Sequence, residues 1–551
     1  MYLESLSMRQ LKSFFVFASI ISLLHLNSCD VDKLELINPN ELTTETFFKT
    51  EAQVQQPVTA VYANLQTDGL YQRTLYYSMD FMAFEQLNTI DPIFHIFLRY
   101  SFDANTVFIA KYWKSCYAGI RSANFVIDNE EAINRIPEGL MPQVKKSKYL
   151  GEARFLRALY YFLLVTRFGD VPLIIAKQDG NTGLPRSPKS IIWSQIETDL
   201  SFAAENCLPK NIEEKGRATS GAAWALLGKA HLFQANESND PADFFAARNA
   251  FLQVIDDHEN YDLEARYDNN FEEETEHGPE SVFEVEFNAA LGYGDLWSSD
   301  DNGAGLNECS LRGIEYGCFN WYNAYPFSDL VEEFETVADN GVKNDPRLGY
   351  CIYQTGDLYN NGKDTAVLYS DTTSYWMDNV QHNEIRFQYG WKKYQNYYKQ
   401  KSEGSYSGIN TRVIRLADVL LMMAEVENEL GKIPEAIRYL NMVRNRADVM
   451  MPNYGTPAMN NIYPVSNQQQ LRKAIEHERK IELCNEQVCI NDLIRWHRLE
   501  AFIREEAMPK LPYYMKKALM FDPAKHYLWP VPQSEIDSNP AITQHDQNYG
   551  Y

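Results

Sequence analysis

Apolar residues recur at helical spacing over most of the chain. Val54, Val58, Val61 and Leu65 lie three or four positions apart, behind Thr50-Glu51-Ala52-Gln53, which has the form of a capping box, so a helix is expected over about 50–66. Tyr112, Trp113, Cys116, Ile120, Ala123 and Ile127 share one face of a second helix that runs to about 134. The stretch SKYLGEARFLRALYYFLLVTRF, 147–168, is periodic throughout, and Gly169 with Pro172 behind it marks its end. Between the first two helices, residues 67–104 are aromatic without a period and are expected to be broken and loop-like.

A more specific pattern follows. Trp224-x2-Leu227-Gly228-x2-His231 fits the first helix of a tetratricopeptide (TPR) hairpin, and Ala247-x3-Phe251 fits the second, displaced by about seven residues that the polar turn ANESNDPAD absorbs. Leu420, Met423, Ala424, Gly431, Ile433, Ala436, Leu440 and Val443 fill the signature places of another copy. Small residues in this pattern let helices approach, and large ones fill the neighbouring groove. About 190 residues separate the copies, so they predict a helical-hairpin scaffold with a large insertion instead of a continuous solenoid.

In the insertion, 266–410, the helical period is lost. SVFEVEFN alternates as a strand, and AALGYGDLWSSDDNGAGLNECSLRGIEYGCFNWYNAYPF is rich in glycine and aromatics, as functional loops on a rigid scaffold often are. A last helical block, LRKAIEHERKIELCNEQVCINDLIRWHRLEAFIR, precedes the tail. The fold expected is mainly α: a TPR-like helical-hairpin scaffold, a large loop-rich insertion and minor short β-strands.

Composition changes this picture at the N-terminus and at the surface. Arg9 and Lys12 precede an apolar stretch from Ser13 to Leu26, the form of a secretory signal and too short to span a bilayer. Leu26-Asn27-Ser28-Cys29 has the form of a lipobox, at which Cys29 becomes the first residue and carries acyl chains; the competing reading is a signal whose cysteine is incidental. Asn27 departs from the usual small or aliphatic residue, and Met8 offers a cleaner start than Met1 because Glu4 is out of place in a basic region. The net charge of −24, from 51 Lys+Arg against 75 Asp+Glu, repels nucleic acid and anionic lipid surfaces and favours a neutral ligand. With 35 Tyr and 9 Trp the chain has rings for a core and for a surface. Cys116, Cys207, Cys309, Cys318, Cys351, Cys484 and Cys489 are an odd set without Cys-x2-Cys spacing and read as buried apolar residues, with a 309–318 bridge as the alternative.

Four blocks, in order, resemble the SusD/RagB family and cover nearly all of the chain beyond the leader. They are CDVDKLELINPNELTTETFFKTEAQVQQPVTAVYANL; GEARFLRALYYFLLVTRFGDVPLI; NAYPFSDLVEEFE with DNGVKNDPRLGY; and the tail with Trp529-Pro-Val-Pro532, Glu535, Asn539-Pro540 and Gln547 to Tyr551. One departure is CNEQVCINDLIRW, where members usually carry a glycine, histidine or arginine pattern, which leaves Cys484 and Cys489 without a role. The resemblance implies a signal over 1–28 and a single SusD-like domain over 29–551. Within it, 29–265 holds N-terminal helices with TPR-like units, 266–410 the ligand-binding insertion, and 411–551 the C-terminal TPR-like helices and tail. It implies a lipoprotein of the outer membrane, exposed at the cell surface and anchored through Cys29, with Asp30, Asp32 and Glu35 resembling the acidic export tag of such proteins. Its partner is expected to be a SusC-like TonB-dependent transporter, to which it delivers captured glycan as part of a polysaccharide-utilisation system.

Sugars present flat C–H faces that stack on rings and hydroxyls that need fixed polar partners. The candidates are Tyr293, Trp297, Tyr316, Trp321 and Tyr322 in the insertion, with Tyr71 and Arg73 from the early aromatic region; glycan-binding members of the family use these two regions. Core packing is the competing reading for each, and Trp297 leads because GYGDLWSSDDNG offers it no apolar neighbours. Trp113, Trp224, Trp391 and Trp496 are assigned to packing. SSDDNG, 298–303, resembles a calcium loop, but Ser298 stands where the first aspartate belongs and Cys309 where the closing glutamate belongs, so neither metal nor cofactor is expected. There is no Gly-x-Ser-x-Gly, His-Glu-x-x-His or phosphate loop, and an enzyme is not expected. The alternatives are a RagB-like peptide-binding lid, with fewer exposed rings and more backbone hydrogen bonds, and a lipid-anchored glycoside hydrolase with paired carboxylates. A TPR-type interaction scaffold would coexist with nutrient capture.

Overall fold

Thr50 and Gln53 cap each other as their spacing predicts: the Thr50 hydroxyl accepts from Gln53 N at 3.4 Å and Gln53 Oε1 from Thr50 N at 3.2 Å. They open α1, Glu51–Ala63, in a computed structural model that describes residues 47–88, 95–177, 183–291, 308–368, 388–404 and 407–551. Cys29 with the acids after it, Tyr293, Trp297 and the 298–303 loop lie outside the described residues. Phe48–Tyr551 forms one compact unit.

Residues 67–104 depart from the loop expected. They contain α2, Thr74–Met82, the strand β1, Gln86–Asn88, and a short turn of helix at His95–Leu98. All nine residues of α2 are buried, Thr74, Ser78 and Asp80 among them, so no solvent-exposed side sets off an apolar one in the sequence. The second expected helix is α3, Val107–Ile127, followed by a separate turn at Glu130–Asn134. α4, Gln143–Phe168, packs against α1, α3 and α5, Lys189–Asn206. It ends at Gly169, whose φ of +69° suits glycine.

The TPR-like hairpins are α6, Ser220–Ser238, with α7, Pro241–Ile255, and, after the insertion, α8, Leu416–Glu429, with α9, Ile433–Arg444. The pattern encodes a contact. A Cβ at Gly228 would lie 2.5 Å from the Phe251 ring, so the glycine lets α7 press its aromatic onto α6. Asn239 turns the chain at φ +53°, and Asp240 caps α7 by accepting from Ala242 N at 2.9 Å. α7 packs on α8, with Arg248 Nε 2.7 Å from Glu427 across the joint, so the two hairpins are neighbours in space. The insertion leaves and returns between them through an antiparallel pair, β2, Ser281–Val285, and β5, Thr411–Arg415, in which Arg412 faces Glu284. Inside it, β3, Ala324–Pro326, pairs with β1, and β4 is Gly390–Trp391. α10, Gln468–Glu482, and α11, Cys489–Arg495, close the helical side. Among the described residues no helix is long and apolar enough to cross a membrane.

Much of the interior around α10 is charged. His477, 3% exposed, stacks on Tyr463 at 4.1 Å, with Nδ1 2.5 Å from Glu333 and Nε2 3.4 Å from Glu335. Burial disfavours its charged form, but hydrogen bonds to Glu333 and Glu335, with Glu478 nearby, outweigh it and raise the imidazole pKa. A raised folded pKa contributes stability that is complete below the unfolded value of about 6.5 and is lost as pH climbs through the folded one. Thermal melts of the His477→Gln protein are therefore expected to lose the fall in stability that wild type shows above about pH 6.5; parallel wild-type and variant profiles would refute this assignment.

Candidate ligand-binding site

The site is built on a short helix, Arg312–Tyr316, and the loop that follows it to Asn323. The loop is tied inward along its length. Trp321 N donates to Ile314 O at 3.3 Å, Tyr322 N to Gly317 O at 3.2 Å, and Asn323 N to Glu315 O at 2.8 Å. Asn320 Oδ1 accepts from the Tyr397 hydroxyl at 2.6 Å and from Glu403 N at 2.8 Å, and its Nδ2 donates to Glu403 O at 2.7 Å. Tyr322 is held at φ +53° with its hydroxyl donating to Tyr389 O at 2.6 Å. A Cβ at Gly317 would lie 2.2 Å from the Tyr397 oxygen, so only glycine permits this closure. The result is a preorganised turn that leaves the Trp321 side chain at the surface, 36% exposed.

Beneath the turn lies a buried aromatic and ionic layer. Arg73 Nη2 stands 2.7 Å from Glu315, whose other oxygen accepts from the Tyr76 hydroxyl at 2.6 Å. Burial raises the Glu315 pKa, although Arg73 and Tyr76 oppose it. Tyr316 meets Tyr76 and Tyr77 edge to face at 5.2 and 5.3 Å. Its hydroxyl accepts from Gln86 Nε2 at 2.5 Å, and Gln86 in turn accepts from Trp391 at 3.0 Å. Asn323 Nδ2 donates to the Tyr77 hydroxyl at 3.3 Å.

Sequence-based candidates therefore divide. Trp321 is exposed and Tyr322 half-buried on the turn, whereas Tyr71, Arg73 and Tyr316, expected on the platform, are interior residues. The reason is partner chemistry: Arg73 is buried with a carboxylate to match it, and Tyr316 has its hydroxyl satisfied inside. The two chain regions singled out do meet, through Arg73 and Glu315, but the early one supports the turn from below.

Not anticipated is the hairpin Leu358–Tyr359 with Asp364–Thr365, where Tyr359 stacks on Phe319 at 4.2 Å beside Tyr353 and Tyr397. Leu358 on this hairpin and Val367 just beyond it are exposed, so an apolar surface adjoins the residues that brace the turn. Asn360-Asn361-Gly362, all at positive φ, is the turn signal that could have located it.

Among the described residues, His277, Glu284 and Glu286 bring potential metal ligands within 4.8 Å of one another. Their bonds are already allocated. Glu284 accepts from His277 N and Asn410 Nδ2, both at 3.0 Å, and lies 3.5 Å from Arg412; Glu286 lies 3.3 Å from His277 Nε2. The group is an imidazole between carboxylates: burial opposes its charge, but Glu286 and Glu284 raise its pKa. Cys309 and Cys318 do not form a bridge with each other.

The SusD family model matches residues 279–551, and a model described as "Starch-binding associating with outer membrane" matches 32–232. SusD-like protein P25 of Formosa agariphila is 25% identical over 536 residues, covering 93% of this chain and 94% of its own. A SusD superfamily protein from Bacteroides vulgatus superposes with a TM-score of 0.71 at 25% identity, over 92% of this chain and all of that one. A laminarin-binding SusD-like protein gives 0.68 at 23% identity, over 92% and 100%. Both halves of the sequence and nearly the whole fold point the same way, and the chain belongs to the SusD/RagB family.

Proposed function

We propose that this protein captures glycan oligomers at the outer face of the outer membrane and delivers them to a SusC-like TonB-dependent transporter, held in place by lipid on Cys29. The carrying observation is the Trp321 turn: an indole kept at the surface by a loop hydrogen-bonded inward along its length. A ring fixed in this way can stack on a pyranose face at little cost in conformational entropy. Family membership supports carbohydrate binding, as does the laminarin bound by a protein of the same fold, and the outer-membrane association in the family description supports the location. Tyr322 joins Trp321 in this platform, with Leu358 and Val367 exposed beside it. Several weak contacts along one polymer would then hold it over the transporter by raising its local concentration.

Calorimetric titration with a panel of polysaccharides and peptides, with reducing ends assayed on the same samples, tests the proposal. Binding to one glycan class without new reducing ends is the expected result. Binding to peptides alone would make the protein a RagB-like lid, and new reducing ends would make it a hydrolase.

A further inference from the structure

Cys484 stands in CNEQVC, the segment after α10 that departs from the usual family pattern. Cys351, remote from it in sequence, ends a short helix of the insertion, Arg347–Cys351. The fold brings the two together. Arg347 Nη1 donates to Glu478 at 2.6 Å and to Glu482 at 3.0 Å, which docks the short helix on the end of α10. Tyr267 bridges the same segments: its hydroxyl donates to Glu482 O at 2.6 Å and accepts from Cys351 Sγ at 3.5 Å. Two adjacent residues then hold the cysteine backbones, Lys392 N donating to Cys351 O at 2.8 Å and Lys393 Nζ to Cys484 O at 2.9 Å. Within this clamp the two cysteine side chains are hydrogen-bonded to each other, and both residues are buried at 0% exposure.

Other cysteines meet different groups. A Cβ at Gly151 would lie 2.9 Å from Cys207 Sγ, and one at Gly390 2.5 Å from Cys318 Sγ, so these two thiols fill space against glycines. The pair at the end of α10 is also chemically uneven. Burial disfavours both thiolates, but at Cys351 the hydrogen bond with Cys484 and the charge of Lys393 outweigh it and lower the pKa. Burial and Cys351 itself push the Cys484 thiol well above its usual value. A thiolate is what attacks a disulfide, so Cys351 is the attacking member.

We propose that Cys351 and Cys484 form a disulfide that ties the insertion to the end of α10. Both sulfurs are sealed from solvent in the fold, so the bond forms while the chain is folding. An oxidised thiol–disulfide exchange protein first exchanges with the Cys484 thiol, leaving a mixed disulfide on Cys484 and one thiol on the carrier. As the segments dock, the Cys351 thiolate attacks the Cys484 sulfur. The Sγ–Sγ bond forms, the bond to the carrier breaks, and the carrier sulfur leaves with the electron pair and takes up the proton that Cys351 gave away. Two cysteine thiols are oxidised, and one carrier disulfide is reduced to two thiols. Such bonds persist in the oxidising compartment that a secretory leader implies. That compartment rests on the function proposed above, whereas the chemistry of the pair does not, and the test is made on the purified protein.

The protein is reduced and unfolded in urea, refolded with oxidised glutathione in the role of the carrier, and blocked with N-ethylmaleimide. The refolded monomer is digested without reduction. Mass spectrometry should find a peptide pair joined through Cys351 and Cys484, lighter by two hydrogens than the sum of its parts and separated by dithiothreitol, with Cys116 and Cys207 blocked as thiols. Reduction should lower the melting temperature of the oxidised wild type by about 3 °C and leave that of Cys351→Ala or Cys484→Ala unchanged. Both cysteines blocked by N-ethylmaleimide, either one joined to glutathione or to a different cysteine, or a fall on reduction that persists in the variants would overturn the proposal.

Discussion

Glu482→Ala should unfold at a markedly lower urea concentration, with a loss of about 3–5 kcal/mol, the size expected when one partner of a buried ion pair is removed. Glu482 ends α10 at 0% exposure and joins three arginines. Its Oε1 accepts from Arg415 at 2.7 Å and Arg446 at 2.8 Å, and its Oε2 from Arg347 at 3.0 Å. The arginines come from the start of the second helical half, the segment after α9 and the insertion, so one carboxylate ties three regions together. Burial alone would protonate it; Arg446, Arg415 and Arg347 reverse that and hold its pKa far below the usual carboxylate range. Truncation to alanine leaves three guanidinium groups in the interior with too few acceptors, although Glu280, Glu486, Glu478 and Asp345 still hold their other nitrogens.

The same network sets the acid limit. Glu280, buried but paired with Arg446 and Arg415, is lowered to about 2. A depressed carboxylate pKa contributes stability that is complete above the unfolded value of about 4.3 and is lost as pH falls toward the folded one. Wild type should therefore lose stability steeply between about pH 4.3 and 2, and Glu482→Ala should begin lower and fall less over that range. A variant whose urea midpoint matched wild type would mean that the arginines find water or other acceptors, and that the cluster is not what holds the halves together.

This cluster shows where sequence reading reaches its limit. In LRKAIEHERKIE the helical period is plain, yet Glu478, Arg479 and Glu482 are buried, because each finds its counter-charge on a segment remote in sequence. Periodicity sees one element at a time, and such pairing is a property of several. For Gly228 and Phe251 the situation is reversed: the spacing itself encodes the contact between two adjacent helices, so the hairpin could be read directly. α2 was illegible for a third reason, since a helix buried on every side has no solvent-exposed side to set off an apolar one. At the candidate site, residue type named candidates but not which of them reach the surface. Trp321, Tyr316 and Arg73 are equally good sugar-binding residues on paper; Glu315 beneath Arg73 and Gln86 beside Tyr316 decide that only the tryptophan faces out.

That division predicts how the site will respond to mutation. Trp321→Ala should weaken glycan binding by at least 30-fold, about 2 kcal/mol, the usual lower bound for an aromatic anchor at the centre of a binding surface. Stability should change little, about 0.5 kcal/mol or less, because the side chain is partly exposed and backbone bonds and Asn320 hold the turn. Tyr316→Phe should behave in the opposite way. It removes an acceptor from Gln86 in the interior, costs about 1 kcal/mol of stability, and leaves glycan affinity near wild type because the ring does not reach the surface. Measuring both variants by calorimetry and urea unfolding separates a ligand contact from a supporting one. Adding Trp297→Ala to Trp321→Ala should abolish capture. Full affinity in that double variant would take the binding site away from this turn, and a loss with Tyr316→Phe as large as with Trp321→Ala would mean that the turn's rigidity, more than the indole face, is what the sugar requires.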